Sequence, residues 1–238
     1  LMTSRDELAY EVGLFFNAVT GYSAIPALNK LAMAPMALKP RIIQLIEREG
    51  MRSSAEEPGF IMAKVNSLAD PDVITALYKA SQQGVRIELN VRGICMLVPG
   101  VPGMSENISV VSIVDRFLEH ARAFAFHNGG NEEVYLSSAD WMPRNLERRV
   151  ELLFPVEEQD LRRELKNVLR VYFNDNVKAH ELLSDGSYRR KTPGTDEEPI
   201  RAQEYLYAQT RAIANTAEPA NRKEFDVRRE PGDGAGSR

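Results

Sequence analysis

Apolar residues recur at helical spacing in Leu8, Val12, Phe15, Phe16 and Val19, which predicts an amphipathic helix. Ser4 with Glu7 reads as its capping box and Gly21 as its stop. A loop carrying Pro26 and Pro35 follows. Pro40 then takes a helix-start position before a run, 41–48, that closes at Gly50. From residue 60 the period changes. Residues 60–66 read as a strand, and Asp70 caps a helix with Pro71 at its first position. That helix runs to about Gln83 and ends at Gly84. In 85–91 the apolar Val85, Ile87, Leu89 and Val91 alternate with Arg86, Glu88 and Asn90, the signature of a half-buried strand. Strand, helix and strand in this order predict a βαβ unit with a parallel pair.

Loop residues fill 98–103. Further strands are expected over 108–113, 122–126, 134–138 and 149–156, with a short helical turn over 114–119. Asn128-Gly-Gly130 reads as a hairpin turn. A helix begins at Glu157-Glu-Gln-Asp160, where acids suit the dipole. Leu161, Leu165, Val168, Leu169, Tyr172 and Phe173 give it an apolar stripe. Residues 201–215 read as one more helix. From Thr216 there is little to bury, so 218–238 are expected to be disordered. No internal repeat is visible.

Composition narrows the function more than the fold. The 238 residues carry 30 Lys+Arg against 34 Asp+Glu, a net charge of −4, which disfavours a strongly basic nucleic-acid binder but not a local basic pocket. One cysteine, Cys95, excludes a disulfide framework or a thiolate zinc cluster within the chain and points to a reducing, cytoplasmic setting. No apolar run reaches the ~20 residues of a membrane helix. The first residue is Leu, so a longer parent protein is expected.

Ligands of open α/β sheets gather at the carboxyl ends of strands. Asn66 and Arg92 stand there. The guanidinium of Arg92 suits a phosphate, and equally suits a pair with Glu88. His120 and Arg122 are two apart, so an extended chain would turn both to one spot. An imidazole there could move protons near neutral pH, although a lone histidine is more often structural. Ser137, Ser138, Arg144 and Asn145 follow another strand, where hydroxyls, an amide and a guanidinium suit an anion; Asp140 and Pro143 suit a plain turn as well. His127 and His180 have no companions at metal-ligand spacing. No P-loop and no G-x-G-x-x-G after a strand is present.

Taken together, Lys64-Val-Asn-Ser-Leu68, Val91-Arg-Gly-Ile-Cys95, Ser112-Ile-Val-Asp-Arg-Phe-Leu-Glu-His-Ala-Arg122 and Val134-Tyr-Leu-Ser-Ser-Ala-Asp-Trp-Met-Pro-Arg-Asn145 resemble the C-terminal part of bacterial polyphosphate kinase. The likeness covers roughly 5–183, with a weaker echo in Arg189-Arg-Lys191 and Arg201-Ala-Gln203. It implies an α/β fold: a phospholipase D-like mixed sheet flanked by helices, with a C-terminal helix and a disordered tail. It implies reversible transfer of the terminal phosphate of ATP to polyphosphate, through a phosphohistidine and with magnesium. Arg92 matches a family arginine that contacts ATP. His120 matches a second family histidine at the nucleotide phosphates, which is not the one that becomes phosphorylated. Arg122, Lys64, Asn66, Ser137, Ser138, Arg144 and Asn145 fall in matching motifs and are expected to bind ATP or phosphate.

The same resemblance divides the chain into a helical lead-in at 1–50, a catalytic domain at 51–190, a helical extension at 191–217 and the tail at 218–238. The phosphohistidine and the magnesium ligands belong to the preceding catalytic domain, before Leu1, so the isolated chain is expected to be inactive. Expected partners are ATP or ADP, polyphosphate and that preceding domain, with a homo-oligomer in the full-length enzyme and no nucleic acid. The location is cytoplasmic, with membrane association of the full-length enzyme left open. Relative to phospholipase D, Arg122 replaces the lysine of H-x-K, and position 127 is His where an acid is expected. A phospholipase D-like phosphodiesterase acting as a homodimer, and a non-catalytic polyphosphate-binding module, are the alternatives.

Overall fold

The computed structural model describes residues 5–21, 24 and 27–216. Its centre is the expected βαβ unit. Strand β2 (Phe60–Val65) lies parallel to β3 (Arg86–Val91), joined by helix α3 (Pro71–Gln82). The Asp70 side chain accepts from the backbone N–H of Asp72 and Val73, both at 3.1 Å, with Pro71 in the first turn. Gly84 then takes φ +85°, a conformation costly for any residue with a Cβ. Strand β4 (Ile108–Ile113) adds a second parallel neighbour to β3.

Around these three parallel strands the sheet is antiparallel. The remaining strands are β1 (Ala32–Ala34), β5 (Arg122–Phe126), β6 (Glu133–Ser137), β7 (Glu151–Pro155), β8 (Ala179–Leu182) and β9 (Tyr188–Arg190). Their order across the sheet is β1-β7-β6-β5-β2-β3-β4-β8-β9. Helix α2 (Leu38–Arg52) packs with α3 on one face; α5 (Gln159–Asn174) packs on the other, beside α6 (Ala202–Thr216). The sequence alternation sets this division. Ile61, Ala63 and Val65 join Phe124, Phe126 and Trp141 in the larger core. Met62, Ala123 and Ala125 turn to the smaller one under α5, where alanines let the helix approach. Lys64 shares the parity of Met62.

Several expectations are corrected. Residues 114–119 form no helical turn, for a reason that lies in their partners. The loop before α2 contains β1, whose three residues are too few to show alternation. Helix α2 begins at Leu38, with Pro40 inside its first turn, and passes Gly50 to Arg52. The basic run at 187–191 contains β9, and Pro143–Glu147 form a short helix, α4. Helix α1 (Asp6–Val19) has no side-chain cap at Arg5; Ser4 of the expected capping box lies outside the described residues, as do 218–238. Asn128-Gly-Gly130 does form the β5–β6 turn, all three at positive φ.

Candidate functional site

Three segments leave the sheet side by side, after β2, β3 and β6. Leu68 zips them together. Its N–H donates to Ile94 O at 2.8 Å, and its carbonyl accepts from Met96 N at 2.9 Å. Ser67 O accepts from Trp141 N at 3.1 Å, and Trp141 O accepts from Asp70 N at 2.9 Å. Gly93 permits the close approach behind Arg92. A Cβ there would lie 3.0 Å from Asn66 O and 3.1 Å from Ser67 Oγ. Trp141, fully buried and 4.9 Å from the Phe124 ring, closes the floor.

On this floor five side chains form one hydrogen-bonded line. Arg92 donates from Nε at 2.8 Å and Nη2 at 2.5 Å to Asn66 Oδ1, leaving Nη1 with no acceptor among the described residues. Asp140 Oδ1 accepts from the backbone N–H of Asn66 at 2.8 Å and of Ser67 at 3.2 Å. Arg122 grips Asp140 with Nε to Oδ1 and Nη2 to Oδ2, both 3.0 Å. Arg122 Nη2 also lies 3.0 Å from His120 Nε2, and Nη1 donates to His120 O at 3.0 Å. Arg122 Nη1 also lies 3.4 Å from His120 Nδ1; a guanidinium only donates, so Nε2, the nearer of the two ring nitrogens, takes the acceptor role. Burial alone would push the Asp140 carboxyl up; Arg122 and the two backbone donors outweigh it and hold that carboxyl below its ordinary value.

The ends of the line differ from its middle. Asp140 is buried and Arg122 half-buried, with their polar atoms spent on each other. His120 is exposed, and Arg92 is partly so. Arg92 does not pair with Glu88, which takes Arg86 instead at 2.9 Å.

The other expected site residues are placed differently. Lys64 is 1% exposed; its ammonium meets Glu119 at 3.2 Å and Ala121 O at 3.4 Å, beneath the Tyr172 ring. Burial depresses the Lys64 pKa against the pull of Glu119. Ser137 Oγ donates to Leu152 O, and Ser138 Oγ accepts from Leu152 N, so both hydroxyls fasten the end of β6 to β7. Asn145 is buried and donates to Glu151 Oε1 at 2.7 Å. Arg144 is exposed on α4. The sequence reading missed Asp140 and Glu119 as site residues. Their signals were present: Asp140 follows strand β6 within the motif, and Glu119 directly precedes His120. Among the described residues no group of three or more His, Cys, Asp or Glu is placed to hold a metal ion.

The fold and this line place two arginines, an asparagine, a buried aspartate and a histidine together at the strand ends of a mixed α/β sheet. Residues 31–203 match the family model described as polyphosphate kinase C-terminal domain 2. The polyphosphate kinase of Rhodopirellula baltica is 51% identical over 229 residues, 96% of this chain and 27% of that protein. That of Synechocystis sp. is 49% identical over 218 residues, covering 92% and 30%. The crystal structure of polyphosphate kinase from Porphyromonas gingivalis superimposes with a TM-score of 0.86 at 41% identity, covering 91% of this chain and 33% of that one. The chain belongs to the polyphosphate kinase family and corresponds to a C-terminal domain of it. It spans about a third or less of the length of the relatives it matches.

Proposed function

We propose that this chain supplies the part of a polyphosphate kinase active site that binds the phosphates of ATP and polyphosphate during reversible transfer of the terminal phosphate. The observation that carries the reading is the line from Arg92 through Asn66, Asp140 and Arg122 to His120. Its interior is saturated and only its two ends face outward. Phosphoryl transfer depends on positioning and on stabilising charge spread over the moving oxygens. Arg92, held by Asn66, keeps Nη1 for a phosphate oxygen. His120 sits where a donor or a proton carrier is useful. Arg122 and Lys64 act indirectly, by orienting His120 and Glu119.

A magnesium ion does not fit these residues alone, since Asp140 is bound by Arg122 and Glu119 by Lys64. Its ligands, like the phosphohistidine, are assigned in this reading to the preceding catalytic domain. The single thiol suits a cytoplasmic setting, and no helix among the described residues is long and apolar enough to cross a membrane.

The test is His120→Gln in the full-length enzyme. The variant keeps a donor and loses the proton carrier, and turnover should fall by roughly 10²-fold or more with an unchanged circular dichroism spectrum. Wild-type turnover in the folded variant would overturn the reading. In parallel, the isolated chain with labelled ATP and magnesium should take up no label, because nucleophilic catalysis needs the nucleophile. Acid-labile label on this chain that is lost in His120→Gln would make His120 the nucleophile instead.

A further inference from the structure

His120 hangs from a segment, 114–121, that has no regular structure and little apolar anchorage. Val114, Phe117 and Leu118 are 69%, 54% and 71% exposed. Nothing in the hydrophobic effect fixes such a loop. Besides those from Lys64 and Arg122, its polar contacts come from the start of α6, more than 80 residues later. Arg201 holds Asp115 with both arms, Nε to Oδ2 at 2.8 Å and Nη2 to Oδ1 at 2.7 Å. The Gln203 side chain pairs with the Phe117 backbone in both directions. It accepts from Phe117 N at 2.8 Å and donates to Phe117 O at 2.8 Å, as a neighbouring strand would. Its amide also donates to Glu119 Oε1 at 2.6 Å, and the other Glu119 oxygen faces Lys64.

The grip is therefore on residues 115, 117 and 119. These residues directly precede His120, whose ring meets Arg122, so the grip limits where the imidazole can stand. This is also why 114–119 are not helical: their backbone donor and acceptor at Phe117 are taken by a side-chain amide. The clamp has its own footing. Asp175 Oδ2 accepts from Ala202 N at 2.8 Å, and the Asn176 side chain pairs with the backbone at Glu198 and Ile200. Residues 198–203 thus staple the end of α5 to the histidine-bearing loop.

We infer that Gln203 and Arg201 are positioning residues for His120, so that docking of the first turn of α6 sets the competence of the phosphate site. This rests on the reading of His120 proposed above. Loss of the clamp should free His120 from Arg122 while leaving Arg92 and its hold on nucleotide intact. The experiment is a cycle in the full-length polyphosphate kinase that contains this chain. Gln203→Ala should lower kcat about 10- to 100-fold, the order expected for a misplacement near 1 Å, with KM for ATP within about threefold. Combined with His120→Gln it should add almost nothing, because both changes remove the same contribution. Arg201→Ala should lower kcat about tenfold, and Arg201→Lys should recover only part of it, because an ammonium cannot make the two-armed contact.

A Gln203→Ala variant with wild-type kcat, beside a disabled His120→Gln, overturns the clamp and leaves the phosphate site standing. Wild-type turnover in both overturns the two together. A further tenfold loss in the double variant shows general structural damage and overturns the positioning role. Should Gln203→Ala not fold, the partly exposed Arg201 pair decides alone, and unchanged kcat in Arg201→Ala overturns the inference.

Discussion

At the carboxyl ends of β2 and β3, Arg122 meets an acid that is almost fully buried. Along α5, Arg163 and Lys166 meet acids that face water, although the Lys166 side chain is itself largely covered. The Asp140 side chain is 7% exposed, against 86% for Asp160 and 47% for Glu132. The second region lies at the far end of the sheet, where the β5–β6 turn brings Glu132 against α5; Arg162 reaches the Glu132 carbonyl at 2.7 Å there. By residue count the helix is the more basic of the two, with Arg162, Arg163, Lys166 and Arg170 on one groove. What it lacks is an acid fixed by the backbone. Asp140 is held by two peptide N–H groups before it ever meets Arg122, so the cation is placed by the fold. A cation paired in solvent is placed only by its own partner, and that pair is worth little.

The largest effect expected from this difference is on stability. Asp140→Ala leaves a half-buried guanidinium and two backbone N–H groups without their acceptor. Breaking such a buried pair typically costs ~3–5 kcal/mol, and urea unfolding of this chain should lose that much. A loss below ~1 kcal/mol would place Arg122 in the same class as the α5 cations. The acid limb of the stability curve sharpens the point. The Asp140 carboxyl is depressed by Arg122, so its contribution is complete above the unfolded value near ~3.9. It is lost as pH falls through the lower folded value. Asp140→Asn should therefore flatten the fall in stability below about pH 4.

The same contrast explains how much was legible in the chain. Local signals were read correctly where a local cause decides. Asp70-Pro71 caps α3 whatever lies around it, and the alternation through Ile87 and Leu89 is intrinsic to β3. Asn66, Arg92, His120 and Arg122 were placed by strand ends, and the structure joins them in one line. The failures are non-local. Asp140 reaches Arg122 across 18 residues and Asn66 across 74; its place after a strand marks it as a candidate, but a turn-forming S-S-A-D names neither partner. Lys64 has the composition of a phosphate ligand, but the parity of β2 turns it under α5. Residues 114–119 lost their expected helical turn to Gln203, which lies far downstream. Ser137 and Ser138 look like anion donors until β7 arrives to use them.

A second way to break the comparison is anion binding at low salt, measured by calorimetry with tripolyphosphate on this chain. Arg92 offers a pre-oriented donor, and a hydrogen bond to a charged group is worth ~1.5–3 kcal/mol. Arg92→Ala should weaken binding roughly tenfold or more. Arg170→Ala removes an exposed charge from the α5 groove, and its effect should stay within about twofold, fading as salt screens it. Equal losses in the two variants would mean that net charge, and not the fixed line, recruits the anion.

The smallest effect should come from Arg163→Ala. Arg163 pairs with Asp160 one turn earlier at 2.9 Å, with both side chains largely in water. Exposed pairs at this spacing contribute ~0.2–0.5 kcal/mol. Asp160 also gains from the N-terminal end of the α5 dipole without help from Arg163. Unfolding free energy should therefore change by no more than ~0.5 kcal/mol at 0.15 M salt and vanish near 1 M, where the screening length is about 3 Å. The Asp140→Ala loss should persist at that salt, because a buried pair is screened far less. A salt-resistant loss in Arg163→Ala would show that the groove on α5 fixes its cations too, and the distinction between the two ends of the sheet would fall.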